Sequence, residues 1–143
     1  MKFVTVYKTG GDFDLEYVDR IYESFPIEYE FICLSDDPNV KGFVPLNNEY
    51  VNHPTFKGWW SKMEMFRPDV ASNESIFYVD LDTIIVDDLF DELDKMESKN
   101  YPLMLSDFYF PEKLASGIMY IPADVRELIW DHWIQDPTGH MSK

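Results

Sequence analysis

One cysteine, Cys33, occurs in 143 residues. It has no partner, which excludes a disulfide framework and a cysteine-bound metal. Long apolar runs are missing too: none approaches the ~20 residues that cross a bilayer. The start, Met1-Lys2-Phe3-Val4-Thr5-Val6-Tyr7, reads as a strand and carries no cleavable signal pattern. Cytoplasmic residence is therefore the default expectation. Cations are scarce. Lys and Arg number 12 against 27 Asp and Glu, a formal net charge of -15, and no Lys/Arg cluster exceeds two. Such a chain repels nucleic acid and anionic membranes. If an acidic protein binds a phosphate it must neutralise it, and a divalent metal is the direct means. For most of the acidic residues the charge serves solubility. Repeats, low-complexity stretches and linkers are also absent, so one domain over residues 1–143 is expected. Apolar residues at 45% and aromatics at 17% supply a core and argue against disorder.

What is present alternates between strand and helix. Residues 2–8 form a first strand, followed by a glycine loop, Lys8-Thr9-Gly10-Gly11-Asp12. Asp14 caps a helix with Leu15, Val18, Ile21 and Tyr22 on one face, ending before Pro26. Residues 28–34 form a second strand that stops at the turn Ser35-Asp36-Asp37-Pro38, and 43–46 a short third one. A polar loop over 47–58, with His53, leads to a helix over 59–66. There Trp59, Met63 and Phe66 share a face, and Arg67-Pro68 ends it. After a strand over 76–79, residues 84–86 read as a further short strand, and 87–93 as a helix start. Asp87 to Glu97 reads as a solvated face. Strands over 103–106 and 117–121 follow, with a loop over 107–115 between them. A helix over 124–134 then faces Leu128, Ile129 and Trp133 inward, and Asp136-Pro137-Thr138-Gly139 reads as a stop. This pattern implies an α/β sandwich with a mostly parallel sheet. Ligands of such folds sit beyond the carboxyl ends of the strands.

The densest chemistry is in Ile76-Phe77-Tyr78-Val79-Asp80-Leu81-Asp82-Thr83. An apolar strand ends in two carboxylates two positions apart, which therefore share a face. Two hard oxygen donors suit Mg²⁺ or Mn²⁺, ions that commonly share their sites with phosphates. The alternative is a pair of strand-end carboxylates capping the next turn. Lys62 has the character to meet a diphosphate as a point charge, or is a solvated helix lysine. Asp36 could accept from a ligand hydroxyl or N–H, or is a turn residue. Tyr7 stacks on a base, or is core. Lys8 and Asp12 share the glycine loop and the same two readings. Trp59 and Trp60 both offer aromatic faces to a ligand, but helical spacing puts Trp59 in the core and leaves Trp60 as the better candidate. Asp107 ends the strand over 103–106 and would bind sugar hydroxyls or act as a base. Ser116 and Gly117 allow close backbone approach.

Five segments in this order resemble a nucleotide-sugar-dependent glycosyltransferase of the GT-A fold, nearest the family 8-like group. They are Thr5-Val6-Tyr7, Cys33-Leu34-Ser35-Asp36-Asp37, Trp60-Ser61-Lys62-Met63-Glu64-Met65-Phe66, the strand ending Asp80-Leu81-Asp82, and Ala115-Ser116-Gly117-Ile118-Met119-Tyr120-Ile121. In the last, Ala115 stands where the family usually has Asn. The resemblance implies a Rossmann-like three-layer sandwich and a UDP-sugar donor. It implies Mn²⁺ or Mg²⁺ on Asp80 and Asp82. A donor pocket would be lined by Val6, Tyr7, Lys8, Asp12, Asp36, Trp60, Lys62, Asp80, Leu81, Ser116 and Gly117, with Asp107 and Lys62 in catalytic roles. The acceptor would be a glycan, lipid or protein, and a homodimer is one expected assembly. Family 8 enzymes take a further metal ligand, often His, from a C-terminal segment. This sequence has no such segment before Lys143, which reads as a minimal or truncated core in which His140 would substitute. Two other functions fit the same motif: a module that binds a nucleotide sugar without turnover, and a haloacid-dehalogenase-type phosphatase. The phosphatase motif normally continues Gly-Thr near the N-terminus, whereas Thr83-Ile84 follows here, in mid-chain.

Overall fold

The computed structural model describes residues 1–26, 28–47 and 58–142. His53 and most of the loop expected over 47–58 lie outside them. The first elements are β1 (Lys2–Tyr7), α1 (Leu15–Ser24), β2 (Glu30–Ser35) and β3 (Phe43–Pro45). A 3-10 helix (Gly58–Phe66) and α2 (Pro68–Ala71) lead into β4 (Ile76–Val79). Then come α3 (Phe90–Glu97), β5 (Leu103–Ser106), β6 (Leu114–Ile121), α4 (Ala123–Trp133) and α5 (Pro137–Met141). The strands form one sheet in the order β3-β2-β1-β4-β6-β5. β1 lies parallel to β2 and β4, and β2 parallel to β3, while β6 runs antiparallel to β4 and β5.

Alternation along each strand feeds two cores, one on each face of the sheet. On one face Phe3, Phe31, Cys33, Phe77 and Val79 pack against Val18 and Ile21 of α1 and Leu93 of α3. On the other, Val4, Ile32, Leu34, Ile76 and Tyr78 pack against Met65, Phe66, Val70 and, from α4, Ile129 and Trp130. The result is a three-layer α/β/α sandwich. β4 is buried at all four positions because β1 and β6 flank it and helices cover both its faces. Each such side chain contributes about 1.5–3 kcal/mol by leaving water. Thr5 extends this junction: its buried hydroxyl donates to the Val79 carbonyl at 3.0 Å, one step past the Val4–Tyr78 register pair.

Several elements differ from the sequence expectation, each for a local reason. Residues 84–86 are not a strand: both neighbour positions of β4 are already taken by β1 and β6, and Ile84 and Val86 are exposed. β6 begins at Leu114, not 117, because Ser106 and Leu114 pair across the hairpin. Residues 58–66 wind as a 3-10 helix, and Pro68 starts a short helix of its own as its first residue. In α4, Leu128 is exposed and Arg126 is buried in its place. The guanidinium is held by carbonyls, donating to Arg67 O at 2.7 Å and to Ser72 O, the residues that flank α2. The helix stop read at Asp136-Pro137-Thr138-Gly139 holds, since α4 ends at Trp133, and Asp136 then begins a new short helix. It caps α5 by accepting from the Gly139 N–H at 2.9 Å. Among the described residues, no helix is long and apolar enough to cross a membrane.

Candidate functional site

β1 and β4 are neighbours, yet the chain leaves β1 towards β2 on the opposite side. Strand order therefore reverses between them, and the carboxyl ends of β1, β2 and β4 share one edge of the sheet. Such a switch point leaves a crevice that binds ligands. Here it holds a cavity of about 450 Å³, lined by Val6, Lys8, Gly11, Asp12, Phe13, Gly58, Trp59, Lys62, Tyr78, Asp80, Leu81 and Asp82.

Asp80 is the first residue beyond β4. Its N–H donates to the Gly117 carbonyl at 2.8 Å, which extends the β4–β6 ladder by one position. Its own carbonyl accepts from the Thr83 N–H at 3.0 Å, so the chain turns at once. In that turn Leu81 is buried in the core and Asp82 is exposed. Lys62 Nζ lies 2.7 Å from Asp80 Oδ1 and 2.8 Å from Oδ2. It also lies 3.4 Å from Ser116 Oγ, as a weak donor, and 5.4 Å above the Tyr78 ring. Tyr78 Oη donates to Asp80 Oδ1 at 2.6 Å. Burial, then the charge of Asp80, holds the Tyr78 phenol well above its usual range, so it stays protonated and keeps donating. Gly117 is the other wall: a Cβ there would stand 3.4 Å from Asp80 Oδ2.

The rim is the loop after β1. Gly10 takes φ +82°, a region that favours glycine. Thr9 fixes this loop to the end of β2, because its N–H and its hydroxyl each donate to the Asp36 carboxylate at 2.8 Å. Burial alone would raise the Asp36 acid, but the bonds from Thr9 outweigh it and hold the acid below its usual range.

Of the residues singled out from the sequence, Val6, Lys8, Asp12, Lys62, Asp80, Leu81 and Asp82 line one cavity, with Ser116 and Gly117 against Lys62 and Asp80. Others lie elsewhere. Tyr7 is buried in the core, since alternation sends Val6 and Tyr7 to opposite faces. Asp36 anchors the loop through Thr9. Trp60 stacks on Trp133 with ring centres 5.5 Å apart, and Trp59, 62% exposed, lines the cavity instead. A 3-10 helix repeats every three residues, which places Trp59 with Lys62 and Trp60 with Met63. The carboxylate of Asp107 accepts from the Tyr109 and Phe110 N–H groups at 2.8 and 2.9 Å, which makes it the cap of the β5–β6 loop. His140 packs on His132 and Trp133 at a separate apolar groove of about 430 Å³. The helical spacing assigns Trp59 to the core, which the structure reverses, and Tyr78 is the residue that sequence reasoning misses. Tyr78 stands two positions before Asp80, so the alternation that pairs Asp80 with Asp82 also points to it.

Among the described residues, no group of three or more His, Cys, Asp or Glu side chains is arranged to hold a metal. Two carboxylates on one cavity nonetheless fit Mg²⁺ or Mn²⁺, which fill the rest of their shell with phosphate oxygens and water. No protein-family model matches the chain, and no curated protein sequence matches it. Solved structures do match. One is a galactosyltransferase, LgtC, in complex with donor and acceptor sugar analogues. The two share 13% identity at a TM-score of 0.67, over 99% of this chain and 63% of that one. Another is the glycosyltransferase GlyE of Streptococcus pneumoniae TIGR4, at 14% identity and a TM-score of 0.67, over 99% of this chain and 40% of that one. The chain thus spans less than two thirds of the length of these structural relatives. Its fold is that of the GT-A glycosyltransferases.

Proposed function

We propose that this chain is a metal-dependent glycosyltransferase that binds a UDP-sugar donor and passes the sugar to a glycan, lipid or protein acceptor. The observation that carries the reading is the Asp80–Asp82 turn, with Lys62 against it, at the switch point of a GT-A sheet. Glycosyl transfer breaks the bond between the anomeric carbon and a diphosphate oxygen, so negative charge grows on the leaving group. Asp82 and Asp80 would hold Mn²⁺ or Mg²⁺, which supplies Lewis-acid stabilisation of that diphosphate when bound. Lys62, beside Asp80, adds a positive charge that the leaving diphosphate can pair with. Trp59 offers an aromatic face on the same rim. The Gly10-Gly11 loop, tied to β2 through Thr9 and Asp36, lets backbone come close to the donor.

The test is calorimetric titration of UDP and several UDP-sugars with Mn²⁺, with Mg²⁺ and with chelator, on the natural chain and on Asp82→Asn. Binding is expected only with metal, and Asp82→Asn should weaken it about tenfold or more, a loss of about 1.4 kcal/mol or more. Equal affinity under all three conditions overturns the metal-bridged donor site. Donor consumption with and without an acceptor panel, run in parallel, separates transfer from binding alone.

A further inference from the structure

The carboxylate that the proposed metal would need already holds a cation. Both oxygens of Asp80 face Lys62 Nζ, at 2.7 and 2.8 Å, and Oδ1 also accepts from Tyr78 Oη at 2.6 Å. On the β6 side, a Cβ at position 117 would already touch Oδ2 at 3.4 Å. A divalent ion on Asp80 would therefore sit within a few ångströms of an ammonium, in a part-buried cavity where charges are poorly screened. The lysine is also able to leave. Its charge rides on a flexible four-carbon stem and suits phosphate as well as carboxylate. Ser116 Oγ, 3.4 Å from Nζ, is a second polar contact beside it.

We infer that Lys62 is the resident counter-cation of Asp80, and that a divalent metal gains Asp80 only when an incoming diphosphate gives Lys62 another anion to pair with. The inference rests on the function proposed above. It makes metal and nucleotide mutually dependent: each raises the other's affinity by the same factor. It also separates the two carboxylates. Asp82 is exposed and lacks the lysine, so metal without nucleotide would meet Asp82 alone.

The experiment measures Mn²⁺ binding by electron paramagnetic resonance, with and without saturating UDP, and needs no turnover. It uses the natural chain, Lys62→Met, Lys62→Gln and Lys62→Arg. Without UDP, the Met and Gln variants should bind Mn²⁺ about tenfold or more tighter than the natural chain. The factor gained on adding UDP should shrink in both. Lys62→Arg, which keeps the charge, should track the natural chain. If neither neutral variant binds Mn²⁺ more tightly without UDP, while UDP-dependent binding persists, Lys62 is not the gate and the proposed function stands. Tight metal-only binding by Lys62→Arg also overturns the inference. No Mn²⁺ binding by any chain, with or without UDP, overturns the proposed function and the inference together.

Discussion

The Tyr78 side chain belongs to the core and to the site at once. Its ring packs with Val4, Leu34 and Met65, while its hydroxyl reaches Asp80. Tyr78→Phe keeps the ring and removes the donor. A buried bond to a charged acceptor contributes about 1.5–3 kcal/mol. Urea unfolding of Tyr78→Phe should show a loss in that range, and UDP-dependent Mn²⁺ binding should weaken because Asp80 loses one of its two restraints. Unchanged stability would mean that the bond is replaced by water. At this scale the sequence was legible where the chemistry is carried by charge at a strand end. Asp80 and Asp82 stand out because an apolar run stops at them. Asp36 and Asp107 carry the same mark, yet their oxygens accept from nearby backbone N–H groups, with the Thr9 hydroxyl added at Asp36. A carboxylate in a turn looks the same in sequence whether it serves a ligand or the turn.

The six strands of the sheet were legible because short apolar runs suit buried strands, although the run 84–86 carries the same signal and lies exposed. Helical periods were less so. Residues 58–66 carry aromatics and methionines at spacings of three and of four, and only the observed 3-10 winding decides which of Trp59 and Trp60 reaches the cavity. In α4 the hidden position is a charge. Arg126, 0% exposed, bridges the residues before and after α2 through the carbonyls of Arg67 and Ser72. Apolar periodicity passes over such a residue. Arg126→Met should leave those carbonyls without their charged donor and cost about 2–3 kcal/mol. The urea midpoint reads this loss. Hydrogen exchange should show α2 opening first, because α2 has only four residues and no side-chain cap. A variant as stable as the natural chain would show that packing alone holds α2.

For the whole molecule, the buried acids of highest pKa set the upper pH limit. Burial is the first cause of raised values for Tyr7, Tyr29, Tyr78, Tyr120 and Cys33, and it pushes the thiol from 9.0 up to about 12. Each group holds its proton more tightly folded than unfolded. The stability this brings is therefore complete below the unfolded values and is lost as pH rises through the folded ones. Urea midpoints should be flat up to about pH 8, where the N-terminal amine, lowered by burial but raised on balance by Glu74 and Glu97, joins these groups, and should fall steadily from there towards pH 12. Cys33→Ala, compared with its own value at neutral pH, should fall less steeply over the lower part of that window. A natural chain whose midpoint stays level to pH 11 would contradict this assignment.

The position of β1 between β2 and β4 also sets an order in time. Its β2 edge can be paired early, but Thr5 and Val79, which meet at its other edge, stand 74 positions apart in the chain. At about 5–20 residues per second on a ribosome, that edge waits roughly 4–15 seconds for its partner. During the wait, Phe3 and Val4 project from a strand that lacks one neighbour. Nascent chains in which β2 has left the ribosome and β4 has not are thus the stage at which a holdase, or a neighbouring copy, would find this protein.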